Sequence, residues 1–415
     1  MNFKKIKIMN SIVIITNQFL TEIADTIFSV VIFLYVYEQT NSALSASLIT
    51  TVTFLTHIFI GPIMGVFSDR FHPKKGMQYG YMIMIMVGLL LSLFFMYSID
   101  YLILMIYISL LIHNVCMLFI VPAKNKLLPQ IVPREELVRV NGYVSSSTNL
   151  AELIGNTISG FILALIGFVG IMLIHSGVYL LASLLLLLLF DLSKISNLKN
   201  MSKSAEVEIE SKQSGFFTEL IEGYVYLKSN RPLFKLVFMS TILNVTSMIT
   251  PLLIVLITTQ YGGGSKEYGF FNAGAIVSSF IVGLLVSYVN KLISPGKIFS
   301  ITLCLAGFCL ILISFFSDIY VGGTLYFIFA GLLTMQRIIF NSFFMHAVEE
   351  KVRGRVLSLS LAISVVTVPL FSLLGGYISD IVSANYVYVF SGIWLSIWSV
   401  FPLLDQDIKS IDKIM

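Results

Sequence analysis

Twelve apolar stretches follow one another along the chain, most of them close to the length of a bilayer-spanning helix, with only short polar breaks between them. They cover 11–37, 43–67, 77–98, 101–122, 141–166, 169–190, 235–259, 268–289, 297–316, 320–344, 355–379 and 385–404. A helix of about 20 apolar residues crosses the hydrocarbon core of a membrane. No water is present there to pair with backbone N–H and C=O groups, so a spanning segment is either a helix or part of a closed barrel. Barrel strands alternate apolar and polar residues; these stretches do not, and each reads as a helix. Charged residues make up 12% of the chain, against about a quarter in a soluble domain. That excludes a soluble enzyme, a disordered chain and a small secreted scaffold. The expected fold is an all-α membrane protein with twelve transmembrane helices.

The basic residues give an orientation. An even number of spans puts both termini on one side. Of the 26 Lys and Arg residues, all but Lys266 and Arg337 fall on that side. Basic loops stay cytoplasmic, so both termini are expected inside the cell, with the protein in the plasma membrane. Lys4, Lys5 and Lys7 precede the first stretch as they would in a signal peptide, but no small-residue cleavage site follows. The first stretch is therefore read as a retained helix. The net charge of +4 reports this asymmetry, and nucleic acid is not an expected partner.

The longest polar stretch divides the chain into an N-terminal six-helix half (1–191), a cytoplasmic linker (192–234) and a C-terminal six-helix half (235–415). In the linker, Phe216, Leu220, Tyr224 and Leu227 fall at helical spacing. They predict an amphipathic helix along the inner membrane face. The halves echo each other: "PREELVRVNGYVSSS" at 133–147 and "EEKVRGRVLSLSL" at 349–361 each place an acidic pair and basic residues before a helix rich in small residues. Parallel repeats of this kind build transporters from two pseudo-symmetric halves, with the substrate between them.

Motifs for other chemistries are missing. Cys116, Cys304 and Cys309 lie inside apolar stretches and form no C-x-x-C, and none of the five histidines forms H-E-x-x-H. There is no G-x-x-x-x-G-K-[ST], and the glycines at 262–264 lack the flanks of a phosphate cradle. No disulfide, metal site, cofactor or catalytic triad is expected, and the chain does not read as an enzyme.

One loop points to a family. Gly65 to Lys75 reads "GVFSDRFHPKK". It resembles the signature loop of the major facilitator superfamily, G-x-x-x-D-R-x-G-R-[RK]. Gly65, Asp69 and Arg70 match; Phe71-His72-Pro73 replaces the usual x-Gly-Arg, and Lys74 and Lys75 supply the basic end. The resemblance implies the major facilitator fold and a conformational latch at Gly65, Asp69 and Arg70. The stretches 37–48, 119–142 and 353–380 are similar to the macrolide-efflux-type drug/proton antiporters of that superfamily. The arginine usual in the fourth span is replaced by His113 and Asn114. In the fifth span, "AELIGNTISG" keeps the small face of exporters at Ala151, Gly155, Ser159 and Gly160, with Asn156 where proline is usual. Small residues let two helices close tightly, which the resemblance links to export.

Ionisable residues inside a membrane are costly and mark function by default. Gln18, Glu22 and Asp25 follow at spacings of four and three, on one face of the first helix. Two nearby carboxylates in low dielectric can take up and release a proton or hold a cationic substrate. Glu22 and Asp25 are therefore the proton-coupling candidates. Gln18, Glu152, Asn244, Gln336, Arg337 and Asn341 are candidates for lining the substrate cavity. The expected function is export of an amphiphilic small molecule, such as a macrolide-like drug, by proton antiport through alternating access, with the protein working as a monomer. Two alternatives stay open: an exporter of a siderophore or other cell-made metabolite, whose carboxylates would suit Arg337, and an uncoupled facilitator or lysolipid flippase.

Overall fold

A computed structural model of the chain describes residues 3–61, 63–64, 67, 70–97, 101–190, 224–348, 356, 360 and 363–405. Among these residues the regular secondary structure is helical throughout. The first helices are α1 (Phe3–Thr40), α2 (Ala43–Phe59), α3 (Pro73–Tyr97) and α4 (Leu102–Ile131). Leu137–Leu187 is continuous in hydrogen bonding but broken at Gly167, whose φ of 67° lies in the left-handed region. Glycine has no Cβ to clash there. The break separates α5 (137–166) from α6 (168–187), at the boundary expected from the apolar pattern.

Neighbouring contacts show that the chain reverses at Gly167. Ile131, at the end of α4 just before α5, lies beside Asn10, and Gly155 of α5 lies beside Thr26, so α5 runs in the direction of α1. Phe168 packs on Tyr35, Tyr179 on Asp25, and Phe190 bonds Asn10, so α6 runs back. Among the described residues ten helices are long and apolar enough to span a membrane, the 49-residue Arg139–Leu187 among them, and Ala43–Phe59 is a shorter apolar helix. With α5 and α6 separated, this is consistent with the twelve spans expected.

By contacts the chain divides into two compact units, residues 1–36 with 55–210 and residues 37–54 with 211–415. In a membrane, apolar side chains gain little by leaving lipid, and close packing of small residues holds helices together. Helix α3 shows this in the first unit. Gly76, Gly80 and Gly88 are buried while Met82, Ile83, Met86 and Leu90 are exposed. A Cβ at Gly80 would strike Ile120 of α4, and one at Gly88 would strike Ser176 and the Met172 carbonyl of α6. The core between these helices holds Ile14, Met77, Tyr81, Met84, Ile120, Tyr179 and Ala182.

Helix α4 differs from the expected 101–122 stretch. Pro122 and Pro129 lie inside it, and it continues to Ile131. A proline breaks a soluble helix, but neighbouring helices in a membrane can satisfy the freed carbonyl. Lys124 is therefore a residue of α4, not of a cytoplasmic loop.

The second unit holds α7 (Arg231–Leu243), α8 (Leu253–Thr259), α9 (Ser265–Leu292), α10 (Pro295–Phe315), α11 (Ile319–Ala347), α12 (Thr367–Ile381) and α13 (Ala384–Trp398). The continuous span expected over 235–259 is instead interrupted by a 3-10 turn at Asn244–Met248. Thr246 and Ser247 bond the Leu243 and Asn244 carbonyls with their hydroxyls, and Pro251 follows. Such local side-chain bonds compete with the helical ladder. Asp380, at the end of α12, accepts from Ser42 Oγ at 2.6 Å, Ala43 N at 2.6 Å and Leu44 N at 3.1 Å. It caps the start of α2 from outside that helix, using the N–H groups a helix N-terminus leaves free.

The expected amphipathic helix over 216–228 lies outside the described residues up to 223; residues 224–229 are helical.

Candidate functional site

Helix α1 is fixed in register by two asparagines. Asn10 donates to the Ile131 and Phe190 carbonyls at 2.9 and 2.7 Å and accepts from Phe190 N. Asn17 donates to the Ala182 carbonyl at 2.8 Å and accepts from Tyr81 OH at 2.6 Å. Both residues are fully buried, where an unpaired amide would be costly. They tie α1 to the ends of α4, α6 and α3, and so set where Asp25 and Glu22 point.

Asp25 enters a pocket closed by α4 and α6. It is 8% exposed, with His113 at 6% and His175 at 1%. His113 Nε2 lies 3.0 Å from Asp25 Oδ1. Tyr179 OH donates to the same carboxylate, at 2.7 Å to Oδ1 and 2.8 Å to Oδ2. His175 Nε2 sits 3.6 Å from Oδ1, beyond hydrogen-bond reach, and neither of its ring nitrogens has a hydrogen-bond partner among the described residues. Phe28, one turn along α1, stacks on His113 at 4.7 Å and leans on His175 at 4.9 Å. Tyr81 meets Tyr179 edge-on at 5.3 Å. The pocket holds a carboxylate among groups that can each present a hydrogen. Such bonds are the strong kind when one partner is charged.

One turn earlier, Glu22 is half-buried. Gln18 donates to Glu22 Oε2 at 2.8 Å, and Lys124 Nζ donates to Gln18 Oε1 at 2.6 Å. The amide thus joins an ammonium to a carboxylate. Asp25 and Glu152 are close enough to act on Glu22 electrostatically, although Glu152 itself is exposed. The structure therefore brings together Gln18, Glu22 and Asp25, with Glu152 nearby.

The other expected site residues fall elsewhere. Gly155 packs against Thr26 with no room for a Cβ, and Ala151, Ser159 and Gly160 are buried on the same helix. Asn244 donates to the Ser364 carbonyl and, at 2.9 Å, to Thr367 Oγ1. Gln336 is 2% exposed, and both its amide atoms lack partners among the described residues, whereas Arg337 is exposed. Asn341 falls in α11, its side chain outside the described residues. Of the latch residues, Arg70 is exposed in a turn, and Gly65 and Asp69 lie outside the described residues.

His175, Tyr179 and Lys124 were not among the candidate site residues, and His113 was noted only as standing where the fourth span's arginine is usual. His113 and Tyr179 lie 88 and 154 positions from Asp25, so no linear spacing connects them. The available signal was the presence of a histidine in mid-span, which membrane burial makes costly.

A family model described as Major Facilitator Superfamily matches residues 14–363. The chain belongs to the Major Facilitator Superfamily. It is 23% identical over 413 residues to macrolide efflux protein A of Streptococcus pyogenes, covering 95% of each chain. Among solved structures, a bacterial homologue of the iron transporter ferroportin in its inward-facing state superposes with a TM-score of 0.74 at 15% identity, over 98% of this chain and 100% of that one. A bacterial homologue of the human lysosomal transporter spinster gives 0.72 at 13% identity, over 99% of each. Such distant structural likeness speaks for the fold alone. The chain is a multi-pass membrane transporter of the superfamily, not an enzyme.

Proposed function

We propose that this transporter exports an amphiphilic small molecule of the macrolide class from the cell by proton antiport. In this reading it sits in the plasma membrane as a monomer, with both termini cytoplasmic. Near full-length similarity to a macrolide efflux protein supports the substrate class. The observation that carries the coupling is the polar seam of α1, where a buried Asp25 lies one turn from a half-buried Glu22 joined through Gln18 to Lys124. Buried charge is expensive to maintain. The Gly-rich packing of α3, α4 and α6 does not need it.

Glu22 is the group assigned to proton exchange, because it is the more accessible carboxylate and has charged neighbours on two helices. A proton taken up by Glu22 from outside weakens the hold on a cationic or polar group of the substrate and releases it. The halves then rock, with the Gly65–Lys75 loop unlatching. Loss of the proton inside restores the site. A gradient drives such a cycle only because proton and substrate bind the two states differently.

The test uses purified protein in vesicles that are acid inside, with the cytoplasmic face outward. Macrolides, cationic dyes, siderophores and lysolipids are added in turn, and a pH dye reports the gradient. Dissipation by macrolides, lost in Glu22→Gln, is the expected result. Dissipation by siderophores alone would move the substrate class to a cell-made metabolite. Labelled solute crossing with no effect on the gradient would replace antiport by a facilitator or flippase.

A further inference from the structure

We infer that Asp25, His113 and His175 form a binding site for a divalent transition-metal cation of the zinc class. The first support is geometric. One ligand atom from each of the three residues lies within 4.8 Å of the others. Asp25 Oδ1 is 3.0 Å from His113 Nε2 and 3.6 Å from His175 Nε2. Ligand bonds of about 2.0–2.2 Å in a tetrahedron put neighbouring donor atoms about 3.4 Å apart. The two edges to Asp25 bracket that spacing, and the edge between the imidazoles, within 4.8 Å, closes to it if the two rings move toward each other around the cation.

The second support is the state of His175. It is 1% exposed, yet neither ring nitrogen has a hydrogen-bond partner among the described residues. A buried imidazole aimed at a carboxylate but out of hydrogen-bond reach has a lone pair free for a cation. His113 now points its Nε2 at the carboxylate; coordination through that nitrogen places the ring proton on Nδ1.

The third support is the surrounding shell. Phe28 packs on both imidazole rings and fixes their planes. Tyr179 OH holds the Asp25 carboxylate from the side. Outer partners of this kind orient metal ligands and raise affinity. The donor set narrows the cation: two imidazoles and one carboxylate suit first-row divalent ions such as zinc, iron, cobalt or nickel, whereas magnesium and calcium call for oxygen ligands. Asp25 keeps 11% side-chain exposure and Glu22 is half-buried one turn away, which gives a cation a carboxylate-lined approach.

The test needs no transport assay. Full-length, tag-free protein in nanodiscs is stripped with a chelator, equilibrated with Zn2+, desalted and assayed for bound metal. The expected result is about one Zn2+ per chain, reduced at least about tenfold in affinity in His113→Ala and His175→Ala, a change typical of a lost ligand or outer partner. His72→Ala, exposed immediately before α3, should keep full binding. His175→Gln serves if the alanine variant does not elute as a single species. Co2+ added to the wild type should give the intense visible bands of a four-coordinate site. A wild type that retains no Zn2+ and shows no such bands would overturn the assignment. So would His113 and His175 variants that bind as well as the wild type; the imidazoles would then only position Asp25.

Discussion

The first unit buries Asp25, His113 and His175 together, at 8%, 6% and 1% exposure, and reinforces them with Tyr179. In the second unit the buried polar side chains among the described residues are serines, threonines and Gln336, all neutral. Its ion pair of Lys235 and Asp405, 2.6 Å apart, lies at helix ends. Its Asp380 meets backbone N–H groups and a hydroxyl instead of imidazoles. Both units are made of apolar helices packed through small residues, but among the described residues the first sets its most buried carboxylate between imidazoles and a tyrosine, whereas the second pairs Asp405, 12% exposed at the side chain, with a lysine. A repeated fold can therefore share its packing rules while its two copies differ in polar chemistry, and the proposed proton step is assigned to the copy that holds Glu22 and Asp25.

The contrast makes its strongest prediction at Asp25. Asp25→Asn should reduce gradient-driven transport to background in vesicles. It should also lower the thermal midpoint, since losing a hydrogen bond to a buried charged group costs about 1.5–3 kcal/mol. Wild-type flux in this variant would sever the buried cluster from function.

Packing comes next. Gly88→Val should destabilise by about 1–3 kcal/mol through overpacking, because the added atoms meet Ser176 and the Met172 carbonyl. Gly177→Ala, where nothing lies within 4 Å, should be neutral or stabilising by about 0.5–1 kcal/mol from helix propensity. Thermal unfolding in detergent compares the two.

In the second unit the expected effects shrink. Asp380→Ala removes the side-chain cap on α2 and should lower stability by about 1 kcal/mol, with its glycine counterpart losing no more. Gln336→Leu should change stability least, within about 0.5 kcal/mol or in the stabilising direction, because replacing an unpartnered buried amide by a carbon chain loses no bond. A large loss there would reveal a partner for that amide and weaken the contrast between the units.

Much of this was legible from the sequence, and the reasons differ by feature. Span positions follow from the bilayer's fixed thickness, so the breaks at Asn41–Ser42 and at Gly167 fell where the apolar pattern put them. The α1 seam was legible because three polar residues at spacings of four and three stand out in an apolar run. The end of α4 was misjudged because a proline has a different effect where neighbouring helices can satisfy the freed carbonyl. The interruption at Asn244–Met248 left a visible signal in Asn-Val-Thr-Ser-Met-Ile-Thr-Pro, hidden only by the overall hydropathy of the stretch. The imidazoles around Asp25 could not be assigned from the sequence, since α4 and α6 reach α1 through packing that linear spacing does not encode.

The most direct test of proton coupling through α1 compares two fluxes in the same vesicles. One is accumulation of a labelled macrolide driven by an imposed pH gradient; the other is exchange of labelled for unlabelled macrolide with no gradient. The wild type should do both. Glu22→Gln should retain exchange within about threefold, roughly 0.7 kcal/mol in barrier height, while accumulation disappears. A Glu22→Gln protein that accumulates substrate as well as the wild type would contradict the account.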